Sequence, residues 1–305
     1  MKEDLSLEYL QAIQQYGNFS HAAKALFVSQ PYLSKYIKIL ETKLGVNLVN
    51  RQITPLTLTY AGELYVSYMK DIQKSYAKMQ VELEAISNLK KGRLIVGMNP
   101  ILASYTLFRF LPQFMKKYPG IEIELEEGTA SEMESLILQN KVDICLNMLP
   151  ISNPELVYEE LFEENIYLVI PSEHPLYDKN NVTPTHVPFN PKSLKNEKFI
   201  LLKPGLGLRR LTDGIFEHYE IKQPNIILET NNIENAFRLC INGNALTFIP
   251  ESVVTRDQVK FNANLYTLGN PIFKNYVVIN YKKDALLSPA AKAFLQFTKE
   301  KFIQF

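Results

Sequence analysis

Asn18-Phe19-Ser20-His21-Ala22-Ala23-Lys24-Ala25-Leu26-Phe27-Val28-Ser29-Gln30-Pro31-Tyr32-Leu33-Ser34-Lys35, running on through Tyr36-Ile37-Lys38-Ile39-Leu40-Glu41 to Leu44-Gly45, is the stretch that decides the fold. Ser29 is a good N-cap, Pro31 is tolerated in a first helical turn, and Gly45 suits the residue after a helix end. The spacing therefore predicts a helix from Ser29 to about Leu44. Along it Leu33, Ile37, Leu40 and Leu44 fall on one face, available for packing. Gln30, Ser34, Lys35 and Lys38 fall on the other and stay free. Glutamine can bond adenine bidentately, and serine and lysine can serve phosphates or base edges. A solvated helix face with no partner accounts for the same residues equally well.

The flanks add to this. Leu7, Leu10 and Ile13 repeat at helical spacing before Gly17 stops the pattern. Asn18 or Ser20 then caps a short second helix carrying Ala22, Ala23 and Leu26, with alanines small enough for two helix backbones to approach. Two helices joined by a tight turn, the second with polar residues near its N-terminus, suit a helix-turn-helix. Downstream, Val46-Asn47-Leu48-Val49-Asn50-Arg51 and Thr54-Pro55-Leu56-Thr57-Leu58-Thr59 read as a short β-hairpin, with Thr59 capping a long helix. Such a hairpin is a wing, and Arg51 at its start can bind a phosphate or enter the minor groove. The net charge of +1 is too small to indicate a nucleic-acid partner, but its distribution is uneven. Between residues 20 and 60 lie Lys24, Lys35, Lys38, Lys43 and Arg51 against a single acid, Glu41. A small basic module precedes a near-neutral body.

The segments Asn18 to Ala23, Leu26 to Ser34, Ile37, Leu40-Glu41, Leu44-Gly45, Leu48, Arg51 and Leu58-Thr59-Tyr60-Ala61-Gly62 resemble, in order and spacing, the N-terminal signature of LysR-type transcriptional regulators. Val49 departs from the phenylalanine usual in that family, and Ile53-Thr54 lacks its second basic residue. The resemblance implies a winged helix-turn-helix over residues 1–58. It places Gln30, Pro31, Ser34, Lys35 and Lys38 in or beside the major groove; Ser29, Tyr32 and, on the wing, Arg51 complete the candidate DNA-binding residues.

From Thr59 to about Leu89 no proline occurs, and no glycine follows Gly62. Ala61, Tyr65, Tyr68, Ile72, Tyr76, Met79, Leu83 and Ile86 recur at three- and four-residue intervals, close to a coiled-coil repeat. Residues 59–91 are expected to be a linker helix that pairs two copies through Tyr65, Tyr68, Ile72, Tyr76, Met79 and Leu83. A long helix buried on its own domain is the competing reading. Two-fold proteins match two-fold, pseudo-palindromic DNA sites, which favours the dimer. The family resemblance implies the same use of this helix, and tetramers built from two dimers.

The 305-residue length predicts about two domains at ~150 residues each. Beyond the polar joint Asn88-Leu89-Lys90-Lys91-Gly92-Arg93, strands are expected to start at 94, 121 and 142, with helices around 105–118 and 130–140. The order repeats with strands starting at 199, 226 and 245 and helices at 207–219 and 232–242. Tyr158–Pro171 and Asn275–Tyr281 are candidate crossover strands, and 287–303 a closing helix. The fold class is thus α/β: a winged helix-turn-helix, a long linker helix, and a domain over 92–305 of two α/β subdomains, about 92–162 plus 275–305, and 167–270. Gly92 to Gly97, Tyr118-Pro119-Gly120, Glu127-Gly128, Val142-Asp143-Ile144, His174-Pro175-Leu176 and Gly243-Asn244-Ala245 to Pro250 resemble the family's effector domain, itself similar to periplasmic solute-binding proteins.

Ligands of open α/β sheets bind beyond the carboxyl ends of strands. The loops there supply the candidate effector residues Pro100, Ile101, Leu102, Ser104, Thr129, Ser131, Lys203, Gly205, Gly207, Asn231, Phe248 and Pro250. Helix N-termini and Lys203 favour a small, anionic ligand. Capping explains several of these residues without any ligand: Thr129 with Glu132, Ser131 with Glu134, and Asn231. Gly205-Leu206-Gly207 more often marks a turn than a phosphate cradle.

Composition excludes much else. Apolar residues make up 46% and charged residues 21%, which excludes disorder as the main state. No apolar run approaches the ~18 residues of a membrane span, and the N-terminus carries acids where a signal peptide is cationic, so a cytoplasmic protein is expected. Four scattered histidines and two cysteines form no metal-binding spacing, and no metal or cofactor is implied. Cys145, on a buried strand, and Cys240, on a helix of the other half, read as core residues and not as a redox pair. His174-Pro175 reads as a surface turn. No nucleophile elbow, HExxH or phosphate-binding loop occurs, so no catalysis is expected. The sequence thus reads as a DNA-binding transcriptional regulator under a small-molecule effector, with RNA polymerase a further partner. A solute-binding protein would leave residues 1–60 without a purpose, and an enzyme with a DNA-binding appendage lacks its nucleophile.

Overall fold

The computed structural model of the chain describes residues 5–151, 153–254, 263–269 and 271–302. The chain divides into two compact units, Met1–Ala85 and Ile86–Phe305.

The first unit holds α1 (Ser6–Tyr16), α2 (Phe19–Ala25), α3 (Gln30–Leu44), a two-stranded hairpin of β1 (Val49–Asn50) and β2 (Thr57–Leu58), and most of α4 (Tyr60–Ser87). Local chemistry sets each boundary. Gly17 takes the left-handed conformation at φ +57° and returns its N–H to the Ile13 carbonyl. Of the two expected caps for α2, Asn18 serves, its Oδ1 accepting from the Ser20 N–H. The Ser29 hydroxyl accepts from the Tyr32 N–H, and Gly45 closes α3 at φ +73°. Thr59 accepts the Gly62 N–H at the start of α4. Leu7, Leu10, Ile13, Ala22, Ala23, Leu33 and Ile37 interlock with Leu48, Val49, Leu58 and Val66 as one core.

Two expected core and seam assignments change. Leu44 is 42% exposed, because α3 has run past the edge of the small core by its last turn. Tyr65, like Ala61 one turn before it, is half-buried against this same core, its hydroxyl 2.8 Å from the Ser6 hydroxyl, and so differs from the later residues of the α4 stripe. Tyr68, Ile72, Tyr76, Met79, Leu83 and Ile86 are exposed.

The second unit consists of two lobes sharing a strand. The first contains β3 (Gly92–Met98), α5 (Pro100–Tyr105), α6 (Leu111–Lys117), β4 (Ile121–Glu127), α7 (Ala130–Leu138) and β5 (Ile144–Met148). β3 runs parallel to both β4 and β5. The chain then crosses on β6 (Leu156–Pro171) into the second lobe, which holds β7 (Thr185–His186), β8 (Lys198–Leu202), α8 (Gly207–His218), β9 (Asn225–Thr230), α9 (Ile233–Ile241), β10 (Thr247–Pro250) and β11 (Ala263–Thr267). It returns on β12 (Lys274–Lys282) and ends in α10 (Pro289–Phe302). β6 is the structural spine. Its residues up to Asn165 pair antiparallel with β12, which also pairs with β5; from Ile166 onward it pairs with β10 and β11 instead. β8 and β9 are parallel, and a bridge from Phe199 to Leu246 joins them to the lead into β10. The two repeated strand–helix–strand–helix–strand sets, the crossover strands and the closing helix match the sequence expectation.

One expected helix, 105–118, is instead two. Asn99 caps α5, with Pro100 pre-set for its first turn, so that helix begins earlier. A short 3-10 segment, Leu107–Arg109, then separates it from α6, where Pro112 sits in the first turn. β7 and β11 were not expected: two exposed residues leave no periodic signal, and Ala263-Asn264-Leu265-Tyr266-Thr267 mixes polar and apolar residues.

Candidate nucleic-acid interface and effector cleft

On α3, Leu33 and Ile37 are completely buried while Gln30, Pro31, Tyr32, Lys35 and Lys38 are exposed and Ser34 is half-buried. The helix therefore shows an outward face of amide, hydroxyl and ammonium groups along its first half. Ser29 spends its hydroxyl on the cap, and the exposed Tyr32 ring leans edge-on against Tyr9. Arg51 is not a free cation. Its Nη2 donates to Glu41 Oε2 at 2.8 Å, and its guanidinium lies 5.8 Å from the centre of the Phe19 ring.

In the second unit the loops at the strand ends bring the two lobes together. The Gly207 backbone passes so close to the first lobe that a Cβ there would lie 3.3 Å from Met148 Cβ. A Cβ at Gly205, φ +94°, would lie 4.0 Å from Thr129 Cγ2. The GxG thus permits close approach of α8 to the opposite lobe. Thr129 caps α7 in a complete capping box, and its N–H and hydroxyl hold the Glu132 carboxyl below the usual range. Ser131 makes no cap; its Oγ accepts from Arg210 Nη2 at 3.1 Å, across the cleft. Arg210 also donates to the Pro150 carbonyl and stands 3.5 Å from Glu134 Oε1. A second bond crosses nearby, Tyr105 Oη donating to Glu234 Oε2 at 2.9 Å. Burial, then the neighbouring carboxylate, pushes the Tyr105 phenol up to about 12.

The other candidates separate by burial. Lys203, Ser104 and Asn231 are exposed and Pro100 half-buried, whereas Ile101, Leu102 and Pro250 are buried. Phe248 is corrected to a core residue, 1% exposed and packed against Phe199 and Phe216. Asn232, one residue beyond the expected Asn231, caps α9 and accepts from the N–H groups of Glu234 and Asn235. Arg210, Tyr105 and Glu234 escaped the sequence reading. Each is ordinary in its own helix, and only the fold reveals its partner. His174 does lie in a turn, but its ring is buried, with Nε2 3.0 Å from Glu197 Oε2 and Nδ1 accepting from the Leu176 N–H. Cys145 and Cys240 are buried and free. Among the described residues, no helix is long and apolar enough to cross a membrane.

Residues 5–63 match the family described as bacterial regulatory helix-turn-helix protein, lysR family, and residues 87–303 match the LysR substrate binding domain. A probable RuBisCO transcriptional regulator of Trieres chinensis is 30% identical over 285 residues, covering 87% of this chain and 90% of that protein. An uncharacterized HTH-type transcriptional regulator of Bacillus subtilis (strain 168), YybE, is 28% identical over 97% of this chain and 98% of its own length. Among solved structures, a full-length OxyR variant from Pseudomonas aeruginosa superposes with a TM-score of 0.77 at 21% identity, covering 97% of this chain and 98% of that one. CbnR complexed with its target DNA gives 0.62 at 20% identity, with the same coverages. With a helix-turn-helix unit whose second helix carries an exposed polar face, followed in the chain by a two-lobed α/β unit, the chain belongs to the LysR family of DNA-binding transcriptional regulators.

Proposed function

We propose that two copies of this chain place α3 in successive major grooves of a pseudo-palindromic duplex, and that a small effector between the lobes of the second unit sets the transcriptional outcome. The observation that carries the reading is the outward face of α3, with Gln30, Ser34, Lys35 and Lys38 set over the fully buried Leu33 and Ile37. Gln30 reads base edges; Lys35 and Lys38 supply phosphate contacts and counterion release. Pairing of copies runs through the exposed α4 stripe of Tyr68, Ile72, Tyr76, Met79 and Leu83, and two such dimers form the tetramer. The effector is anionic, drawn by Lys203, the helix N-termini and the Arg210 guanidinium beside Ser131. It acts by binding one arrangement of the lobes more tightly than the other, which changes how RNA polymerase is engaged. The protein works in the cytoplasm.

The test is a pair of substitutions. Gln30→Ala relaxes base preference, while Lys38→Ala weakens specific and random duplexes alike and lowers the salt dependence of binding. Equal effects of both variants on both duplexes would contradict this division of roles. A metabolite panel screened by thermal shift on the full chain tests the effector, and stabilisation by neutral or cationic compounds alone would sink the anionic assignment.

A further inference from the structure

The link between α2 and α3 is Leu26-Phe27-Val28-Ser29. It closes α2 with two reversed bonds, the Val28 N–H to the Ala23 carbonyl at 3.0 Å and the Phe27 N–H to the Lys24 carbonyl at 3.3 Å. This closure puts Phe27 in the left-handed conformation at φ +57°. Glycine or asparagine ordinarily fills that position, because a Cβ there crowds the following carbonyl. The fold returns nothing to this side chain. Leu26 and Val28 pack against the core of the unit, whereas Phe27 between them is 98% exposed. A bulky aromatic thus occupies a strained backbone position with no burial to offset it, and such combinations mark sites where a partner uses the side chain.

The position of Phe27 identifies the partner. It stands two residues before the Ser29 cap and three before Gln30, and beyond the half-buried Val28 the residues Ser29, Gln30, Pro31 and Tyr32 are all exposed like Phe27 itself. A recognition helix meets base edges with its N-terminal residues, so the turn in front of it lies at the groove wall. The apolar groups there are deoxyribose carbons and thymine methyls, both of which a phenyl ring can cover. We propose that Phe27 is a DNA-contacting residue whose ring packs on the apolar wall of the major groove and fixes how α3 enters it. The proposal rests on α3 being the element that faces the groove.

The experiment uses the full-length chain and a duplex that the wild type enriches from a random-sequence pool. Phe27→Ala removes the ring and keeps the strained turn; Phe27→Gly removes the ring and relaxes the turn. Both are expected to weaken binding about tenfold, while Phe27→Leu stays within about threefold of wild type. The salt dependence is expected to remain that of the wild type, since an apolar contact releases no counterions. Repeating the titrations with deoxyuridine in place of thymidine separates the two apolar sources. A wild-type loss that disappears in Phe27→Ala assigns the thymine methyl, and equal losses on both duplexes assign deoxyribose. Unchanged binding in both Ala and Gly variants overturns the proposal, as does loss in Ala with full retention in Gly, which would make turn geometry the cause. Lys38→Ala run alongside keeps the two claims apart. If it weakens binding while the Phe27 variants do not, only the Phe27 contact fails; if none of them matters, the placement of α3 fails.

Discussion

Glu41 ties the recognition helix to the wing through Arg51. The Arg51 guanidinium donates to Glu41 Oε2 at 2.8 Å, while Glu41 Oε1 accepts the N–H groups of Leu48 and Val49 at 2.9 and 3.1 Å. Glu41, the single acid among the basic residues between 20 and 60, is 5% exposed and engaged through both carboxylate oxygens. It satisfies two backbone donors at the point where α3 gives way to β1, and it also fixes the position of Arg51.

Removing that carboxylate leaves two buried N–H groups and a guanidinium unpaired. Glu41→Ala is therefore expected to destabilise the first unit by about 2–4 kcal/mol. Arg51→Ala leaves Glu41 with its two backbone partners, and the arginine side chain is 40% exposed, so a loss of about 1 kcal/mol is expected. Urea denaturation of the full chain, followed by hydrogen exchange of the Leu48 and Val49 amides, measures both. Equal losses from the two substitutions would show that the ion pair, and not the backbone bonds, holds the wing.

The second unit has a comparable tie between its lobes, from the Tyr105 hydroxyl to Glu234. A double-mutant cycle of Tyr105→Phe and Glu234→Gln is expected to give a coupling of about 1 kcal/mol, the range for a half-exposed bond to a charged acceptor. The phenol carries its own signature. Its ionisation is pushed up from 10 to about 12 in the folded chain. The contact therefore contributes fully below pH 10 and is lost as pH rises through about 12. Tyrosine labelled at Cζ and followed by NMR, with Tyr105→Phe for assignment, reads this directly. Titration of that signal near pH 10 would mean that the bond does not form in solution.

The sequence carried the local parts of this architecture well. Ser29, Asn18 and Gly17 act through bonds to residues a few positions away, and Gly45 through its own left-handed backbone, so their types alone predict helix ends. The repeated halves were visible because buried parallel strands leave short apolar runs at regular intervals. The cross-lobe ties were not visible, since Tyr105 and Glu234 lie 129 positions apart and each is compatible with an exposed helix face. The Arg210–Ser131 bond has the same origin, and it turned an expected second capping serine into a contact across the cleft. Phe248 shows the opposite error: proximity to a strand end suggested the cleft, while its side chain points into the aromatic core. Phe27 was illegible for a third reason, because phenylalanine carries no propensity for the left-handed turn it occupies.

Both thiols are predicted to be inert. Burial pushes Cys240 up to about 12 and raises Cys145 further, with Glu134 adding to the latter. At pH 8 neither holds an appreciable thiolate fraction, and neither is open to reagent. Ellman's reagent is expected to find almost no reactive thiol in the native chain and two in guanidinium chloride. Millimolar hydrogen peroxide is expected to leave the mass of both cysteine peptides unchanged. Rapid labelling of either residue in the native protein would mean that its strand or helix opens far more readily than its packing implies.

Two glycines of the first unit separate backbone conformation from close packing. Gly45 ends α3 at φ +73° with nothing within 4 Å of where a Cβ would stand. Gly62, inside the first turn of α4, would place a Cβ 2.1 Å from the Leu48 carbonyl oxygen and 3.2 Å from Leu58 Cβ. Gly45→Ala is expected to cost about 1 kcal/mol, the penalty of a left-handed residue bearing a side chain. Gly62→Ala would be favourable by about 1 kcal/mol if helix propensity decided the outcome. It is expected instead to cost about 3 kcal/mol or more, because α4 must lift away from the wing, where backbone cannot yield as a side chain tip can. Denaturation midpoints of the two variants against wild type give the sign of each effect. A stabilised Gly62→Ala would show that α4 does not seat against Leu48, and the packing of the helix onto the wing would have to be redrawn.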